Sequence, residues 1–363
     1  MSEIPKSWSS VGVGTVGGAA SHMISSPRVA SYYGLQQLPV GVLRKDGWHE
    51  HGKYGALVET NALELPDSDV LFIACPSTPD NEPMLTLMRK QLALGRVVVT
   101  AEKRTLAYNL AEFKQYPDQL GYWATVGGGT RPLHTLEAWA HDPDNIREMI
   151  LEPNATTTFI YGEVGNGSDP DEVVKMASQD GLAEPNTAGV YDVIFNEAAN
   201  DVPSKFVIVL GTIFPHLAEL SPDDISTVLT KQNVARSLAE AYKYRYLAAI
   251  YQEKDADRAH EMTAGKLDGF ELVHESLLLI GGLMRVDVDQ NANAIGRFKD
   301  TRGPEAGFYV ELGPYTKEMD PDKRKETSDG HIFSMGTGAG GLTTANAMLD
   351  NYQAIRKALL KNS

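Results

Sequence analysis

The sequence predicts an α/β protein: a parallel sheet flanked by helices, followed by a second domain of α+β type. Three observations lead there. The first 130 residues alternate short apolar runs with helical patterns, the signature of repeated strand-helix units. A G-x-G-x-x-G segment opens the first of those units. The chain of 363 residues is also long enough for two domains of roughly 150 residues each.

In Val11-Gly12-Val13-Gly14-Thr15-Val16-Gly17, bare glycine backbone lets a pyrophosphate approach the N-terminus of the following helix. Gly12, Gly14, Thr15, Val16 and Gly17 are therefore candidate cofactor-binding residues. Ser7-Trp8-Ser9-Ser10 supplies few apolar residues for a preceding strand, and a simple glycine-rich turn is the alternative. Strands are expected at Leu38–Leu43, Val70–Ala74 and Arg96–Thr100, with a helix over Glu82–Leu94 before the last. Arg44-Lys45 follows the second strand. A dinucleotide-binding fold that takes NAD usually places a carboxylate there for the ribose 2′-hydroxyl, whereas Arg accommodates a 2′-phosphate, so NADP is favoured and NAD is the alternative. Two solvated surface cations are the competing reading.

Val126 to Leu133 reads VGGGTRPL, a glycine-rich crossing point into the second domain. There, Thr156–Tyr161 and Lys205–Ile213 carry strand-like or buried apolar runs. Pro222–Glu253 reads as one long helix, with Ser221 as its cap and Pro222-Asp223-Asp224 in its first turn. From Gly265 to Leu312 the β-type runs FELV, LMRVDV and GFYVEL recur between Gly, Asp and Asn, which points to an antiparallel or mixed sheet. Glu318–Gly330 is charged and reads as a solvated loop. The chain closes with GTGAGG at Gly336 to Gly341 and a helix over about Thr343 to Lys361.

Composition narrows the function classes. With 42% hydrophobic and 22% charged residues, this is an ordinary soluble globular protein. A net charge of −15 would repel a phosphate backbone or an anionic membrane, so neither nucleic acid nor a membrane is expected as a partner. Cys75 is the single cysteine: no intrachain disulfide and no cysteine-based zinc site can form, which fits a reducing cytoplasmic compartment. No apolar run reaches the length of about 18 of a spanning helix, and Ser and Gly dilute the start, which reads as mature sequence rather than a signal peptide.

Four groups could carry chemistry. Lys103 lies just past the end of a buried strand, where ligands bind in open parallel sheets, though most lysines so placed are solvated. Asp201-Val202-Pro203-Ser204-Lys205 sets a carboxylate four residues before a lysine. If a helix begins here, with Pro203 tolerated in its first turn, the two groups share a face, and Asp201 would position Lys205 to protonate a carbonyl oxygen as hydride arrives at carbon. An N-cap Asp with a solvated Lys is the alternative. Glu184 is by itself a loop carboxylate. Gly338 and Gly340, inside GTGAGG, suit a backbone nest for phosphate or a tight connector needing positive φ.

In order along the chain, GVGTVG, VVVTAEK, ATVGGGTRP, NATTTFI, LAEP, DVPSK and GTGAGG followed by Thr344-Ala345 resemble the homoserine dehydrogenase family, over most of the length. That resemblance implies hydride transfer between NAD(P)H and L-aspartate 4-semialdehyde, giving L-homoserine, and the reverse, within amino-acid biosynthesis. It makes Lys205 the general acid-base, Asp201 its orienting and substrate-binding partner, and Glu184 the holder of the substrate ammonium. Lys103 would lie near the nicotinamide and the substrate, and Ser77 joins the cofactor contacts. The implied architecture is a Rossmann-type domain, residues 1–130 plus 336–363, with an inserted catalytic and dimerisation domain over 131–335. A homodimer is the implied assembly, and the length leaves no room for an added kinase or regulatory domain.

The sequence departs from the family pattern in four places. Thr100-Ala101-Glu102-Lys103 replaces Thr-Ala-Asn-Lys and puts a carboxylate beside the cofactor, placed to pair with Lys103. Asn154-Ala155-Thr156-Thr157-Thr158 replaces Asn-Gly-Thr-Thr-Asn. The segment from Glu184 to Asp201 is longer than usual. Some relatives hold sodium at positions matching Trp123, Val126, Gly128 and Thr130, and Trp123 cannot replace the carboxylate ligand, so no metal is expected. These changes leave two alternatives: a related oxidoreductase acting on another amino-acid aldehyde or ketone, and a non-catalytic NADP-sensing protein.

Overall fold

The computed structural model describes residues 6–45, 47–51, 57–60, 67–78, 80–137, 143, 146–183, 189–225, 227–312 and 330–362. The chain divides into two compact units, Met1–Arg131 with Gly340–Ser363, and Pro132–Ala339.

The first unit is built on a seven-stranded sheet. Its strands in chain order are β1 (Trp8–Val11), β2 (Gly41–Arg44), β3 (Gly47–His51), β4 (Leu57–Thr60), β5 (Val70–Ile73), β6 (Val97–Thr100) and β7 (Leu120–Gly121), and in space they run β4-β3-β2-β1-β5-β6-β7. From β2 to β7 all neighbours are parallel, while β3 and β4 extend the sheet antiparallel. The three expected strands and the helix, here Glu82–Ala93, are in place. β1 is central and wholly buried despite its serines. Trp8 compensates for them, with its ring edge-on to Phe72 and its indole N–H donating to Gln36 O at 2.8 Å. The last helix, Gly341–Asn362, returns to this unit and buries Met348, Leu349, Tyr352 and Ile355 in one core with Trp8, Phe72 and Val99. Asn351 Oδ1 accepts from Trp123 N at 2.9 Å, which fastens that helix to the segment after β7.

The second unit holds a six-stranded antiparallel sheet of β8 (Ile146–Glu152), β9 (Tyr244–Gln252), β10 (Leu267–His274), β11 (Leu277–Arg285), β12 (Glu305–Leu312) and β13 (His331–Thr337), ordered β10-β11-β9-β8-β12-β13. This is the antiparallel sheet expected from the recurring β-type runs. Two open readings are decided and one expectation needs correction. Thr156–Tyr161 and Lys205–Ile213, which read as strand-like or buried apolar runs, are buried runs within the helices Ala155–Gly165 and Val202–Ile213. Every residue of the latter except Lys205 is buried, and a helix apolar on all sides shows no amphipathic period, so its Val and Ile run leaves strand and buried helix undistinguished.

The long helix over Pro222–Glu253 is not there. A 3₁₀ turn (Pro222–Asp224), a nine-residue helix (Lys231–Ala239) and the strand β9 take its place. Ser221 does cap the first turn, its N–H and hydroxyl both reaching Asp224 Oδ2. Alternate residues of β9 face two separate cores: Tyr244 and Tyr246 lie among the helices, while Leu247, Ala249 and Tyr251 lie on the opposite face. With both faces buried, the polar alternation that marks a strand is missing. Within GTGAGG, Gly336 and Thr337 close β13 rather than open a turn. The charged loop expected at Glu318–Gly330 lies, apart from Gly330, outside the described residues.

Candidate active site

In the nucleotide-type loop the glycines do three different jobs. Gly12 has φ +87°, and a Cβ there would come within 2.5 Å of Ala74 O. A Cβ on Gly17 would meet Gly12 O at 2.1 Å, so the helix Thr15–Ser25 lies directly against the turn. Around Gly14, in contrast, a Cβ would find nothing within 4 Å. Tight turn, open approach and close packing are the three demands of a pyrophosphate loop, so the residues present fit a dinucleotide. Gly14 is also the N-cap, with no side-chain cap over the first-turn amides of Thr15, Val16 and Gly17.

The second glycine cluster is split. A Cβ on Gly341 would lie 2.4 Å from Thr15 O, so the C-terminal helix begins against the same loop, and Gly340 has φ +114°. Gly338 is fastened elsewhere: its N–H donates to Pro304 O at 2.8 Å, and a Cβ would strike Ala306 of β12.

Register levels the carboxyl ends of the parallel strands. Val11 lies opposite Leu43 and Ile73, and Ile73 opposite Thr100. Arg44, Lys45, Ser77 and Lys103 all follow at or just beyond this edge, where open sheets of this type bind ligands. Arg44 and Lys45 are exposed, and Ser77 and Lys103 half-buried. Glu102 is buried, and its carboxylate caps the short helix Arg104–Tyr108, accepting from Arg104 N at 2.8 Å and Thr105 N at 3.0 Å. Burial, with the Glu102 charge nearby, pushes the Cys75 thiol up to about 11, so it is a thiol and not a nucleophilic thiolate at neutral pH.

In the second unit, β8 ends at Glu152 and the chain turns through Pro153-Asn154 into the helix Ala155–Gly165. Asn154 caps that helix, with Oδ1 accepting from Thr157 N at 2.7 Å. Its Nδ2 donates to two carboxylates, Asp201 Oδ2 at 2.7 Å and Glu197 Oε2 at 2.5 Å. Asp201 ends a π-helical turn, Glu197–Asp201, that runs directly into Val202–Ile213 with Pro203 in the first turn. Lys205, one turn on, places Nζ 2.6 Å from Asp201 Oδ2 and 2.8 Å from Pro153 O. Two of its three ammonium hydrogens are thereby engaged, and one remains for a ligand oxygen. This differs from a capping Asp beside a solvated Lys, because the helix runs unbroken through Asp201 and both side chains are largely buried.

Beneath this corner lies a buried network. Glu152 Oε1 accepts from Thr158 Oγ1 at 2.9 Å and Thr301 Oγ1 at 3.1 Å, and Arg245 Nε lies 3.8 Å away. Burial pushes the Glu152 carboxyl up to about 7, against the pull of Arg245. Thr158, where the family pattern has Asn, is thus part of a structural support.

The structure brings Asp201 and Lys205 together. Lys103 lies in the first unit, and Glu184 lies outside the described residues. Asn154 and Glu197 were missed from sequence. A spacing of four from Glu197 to Asp201 to Lys205 was a usable signal, and the Asn before Ala-Thr-Thr-Thr was another. Among the described residues no group of three or more His, Cys, Asp or Glu is placed to hold a metal, and no helix is long and apolar enough to cross a membrane.

The chain thus carries a dinucleotide-type loop on a parallel sheet in one unit and a lysine-carboxylate pair in a second unit with an antiparallel sheet. Among solved structures, the chain shares its fold with homoserine dehydrogenases. The enzyme from Thermoplasma acidophilum is 18% identical with a TM-score of 0.67, covering 97% of this chain and 99% of that one. A hyperthermophilic archaeal homoserine dehydrogenase in complex with NADPH is 18% identical with a TM-score of 0.63, covering 98% of both chains. That from Thiobacillus denitrificans is 17% identical with a TM-score of 0.63, covering 98% of this chain and 74% of that one. No protein-family model and no curated protein sequence matches the chain.

Proposed function

We propose that this protein is an NADP-dependent homoserine dehydrogenase, interconverting L-aspartate 4-semialdehyde and L-homoserine. The observation that carries the reading is the Asp201–Lys205 pair, held by Asn154 and Pro153 O, in a fold shared with homoserine dehydrogenases. Gly12, Gly14 and the first-turn amides through Gly17 would cradle the pyrophosphate, with Arg44 and Lys45 at the 2′-phosphate. Ser77, Lys103 and Gly340 complete the cofactor side, and Gly338 serves as a connector. When bound, NADPH supplies the hydride.

Lys205 does the proton work. Its remaining N–H donates to the substrate carbonyl oxygen, polarises it and gives up the proton as the alkoxide forms. In the reverse direction the neutral amine takes the proton from the hydroxyl. Asp201, fixed by Asn154, keeps Nζ in place. Glu184 is kept as a substrate-ammonium contact. The reading extends to a homodimer in a reducing cytoplasm, the former checked by light scattering on the purified protein.

The test is direct: purified protein with L-homoserine and NADP should raise the absorbance of reduced nicotinamide. Turnover of another amino-acid alcohol but not homoserine would replace the substrate and keep the reaction class. NADPH binding with no turnover of any substrate would leave a sensor.

A further inference from the structure

Pro153 O and Asn154 hold the lysine-aspartate pair, and one side-chain contact brackets these two residues. Glu152 Oε1 lies 2.9 Å from Thr158 Oγ1, which also lies 3.0 Å from Asn154 O. Thr158 has a single hydroxyl hydrogen for the two acceptors. Thr301 is in the same position, its hydroxyl 3.1 Å from Glu152 Oε1 and 2.6 Å from Phe298 O. Arg245 does not help, because its N–H groups go to Thr301 Oγ1 and to the carbonyls of Ala241, Tyr244, Lys299 and Thr301. The guanidinium stands 3.8 Å from the Glu152 carboxyl without donating to it. Glu152 is 1% exposed, and its Oε2 has no hydrogen-bond partner. Besides Arg245 of β9, the groups felt here are Glu305 of β12, acting on Glu152, and Asp300, Arg302 and Tyr161, acting on Arg245. A buried carboxyl so poorly supplied with donors favours its neutral form.

A proton on Oε1 resolves the conflict. The carboxyl O–H donates to Thr158 Oγ1, the Thr158 hydrogen turns to Asn154 O, and the Thr301 hydrogen to Phe298 O. We infer that Glu152 is a positioning residue for Lys205: its protonated carboxyl, donating through Thr158 to Asn154 O, fixes Pro153 and Asn154 in the geometry that presents the lysine, and ionisation releases them. An ionised Glu152 claims the Thr158 hydrogen, and Asn154 O loses that donor. The inference deepens the function proposed above and rests on it for the reaction that Lys205 performs.

Two readouts on the full-length protein test it. The first needs no substrate: in the amine nitrogen spectrum of isotope-labelled protein, the Lys205 Nζ signal, identified by its loss in Lys205→Arg, should shift with a midpoint at about pH 7. That step should vanish in Glu152→Gln, whose amide donates to Thr158 at every pH, and in Thr158→Val, which has no hydroxyl. The second follows oxidation of L-homoserine by NADP. From about pH 6 to about pH 8.5, kcat of Glu152→Gln relative to wild type should rise about threefold or more with KM moving less, the scale of a small misplacement of a reacting group. Thr158→Val should lower kcat at both ends of that range, and Thr158→Ser should restore it. A Lys205 signal without a step near pH 7, a step that survives in either variant, or a kcat ratio that stays flat overturns the inference. If wild type leaves homoserine untouched, the proposed activity fails while the nitrogen spectrum still decides the role of Glu152.

Discussion

Asp201 holds Lys205 at 2.6 Å from the preceding turn of the same helical run, with the two side chains only 12% and 13% exposed. An exposed lysine-carboxylate pair spends much of its attraction on ordering two mobile side chains. Here Asn154 and Pro153 O fix both partners, so the ammonium is pre-placed for a ligand oxygen. Lys205→Ala should keep the fold and NADPH affinity and cut turnover by roughly two to four orders of magnitude, the scale of proton-transfer catalysis. A fully active variant in steady-state kinetics would remove Lys205 from the mechanism.

The loop glycines separate stability from binding. Gly14→Ala meets no neighbour, so its melting temperature should match wild type while NADPH affinity falls about tenfold or more, because the methyl group occupies the approach to the backbone. Gly17→Ala drives a Cβ into Gly12 O and should cost about 1–3 kcal/mol of stability. Denaturant melts and a fluorescence titration of each variant read both quantities. A stable Gly17→Ala protein, or a Gly14→Ala protein that binds NADPH normally, contradicts the assignment.

Arg44 stands at the end of β2. Wild type should use NADPH at lower concentration than NADH, and Arg44→Ala should shrink that preference by about tenfold, the scale of one charge-assisted hydrogen bond. Equal use of the two cofactors by wild type would count against a 2′-phosphate contact.

Glu152 gives a pH signature of its own. Burial raises its carboxyl from 4.5 to about 7, so between those values the folded state binds the proton that the unfolded state has released. Its contribution to stability therefore falls as pH rises through that window and is constant above it, a loss on the order of 3 kcal/mol. In Glu152→Gln the loss is absent, so the melting temperature of the variant relative to wild type should climb from pH 5 to pH 7.5. A difference that stays flat over that range refutes the argument.

Sequence alone made much of this chain legible, and its doubtful elements share one cause. The parallel strands and the Gly12–Gly17 loop were readable because glycine placement and apolar runs are local properties. The spacing of Asp201 and Lys205 implied a shared face, and the shared face is there. What misread was buried on both faces: Tyr244–Gln252 passed for helix, and Lys205–Ile213 stayed open between strand-like and buried apolar, because neither shows water a polar face from which a period could be read.

By itself, then, the sequence determined the class of the first domain, the anion-type loop and the chemistry available to one lysine and one aspartate. Only the tertiary structure decided that Asn154 clasps Glu197 and Asp201 together, across 43 and 47 residues of chain, and that Pro153 O takes the second hydrogen of Lys205. The physical reason is the partition of information. Backbone conformation and periodicity are set by neighbours along the chain, whereas a hydrogen bond between a strand end and a distant helix exists only once both have been packed against a common core.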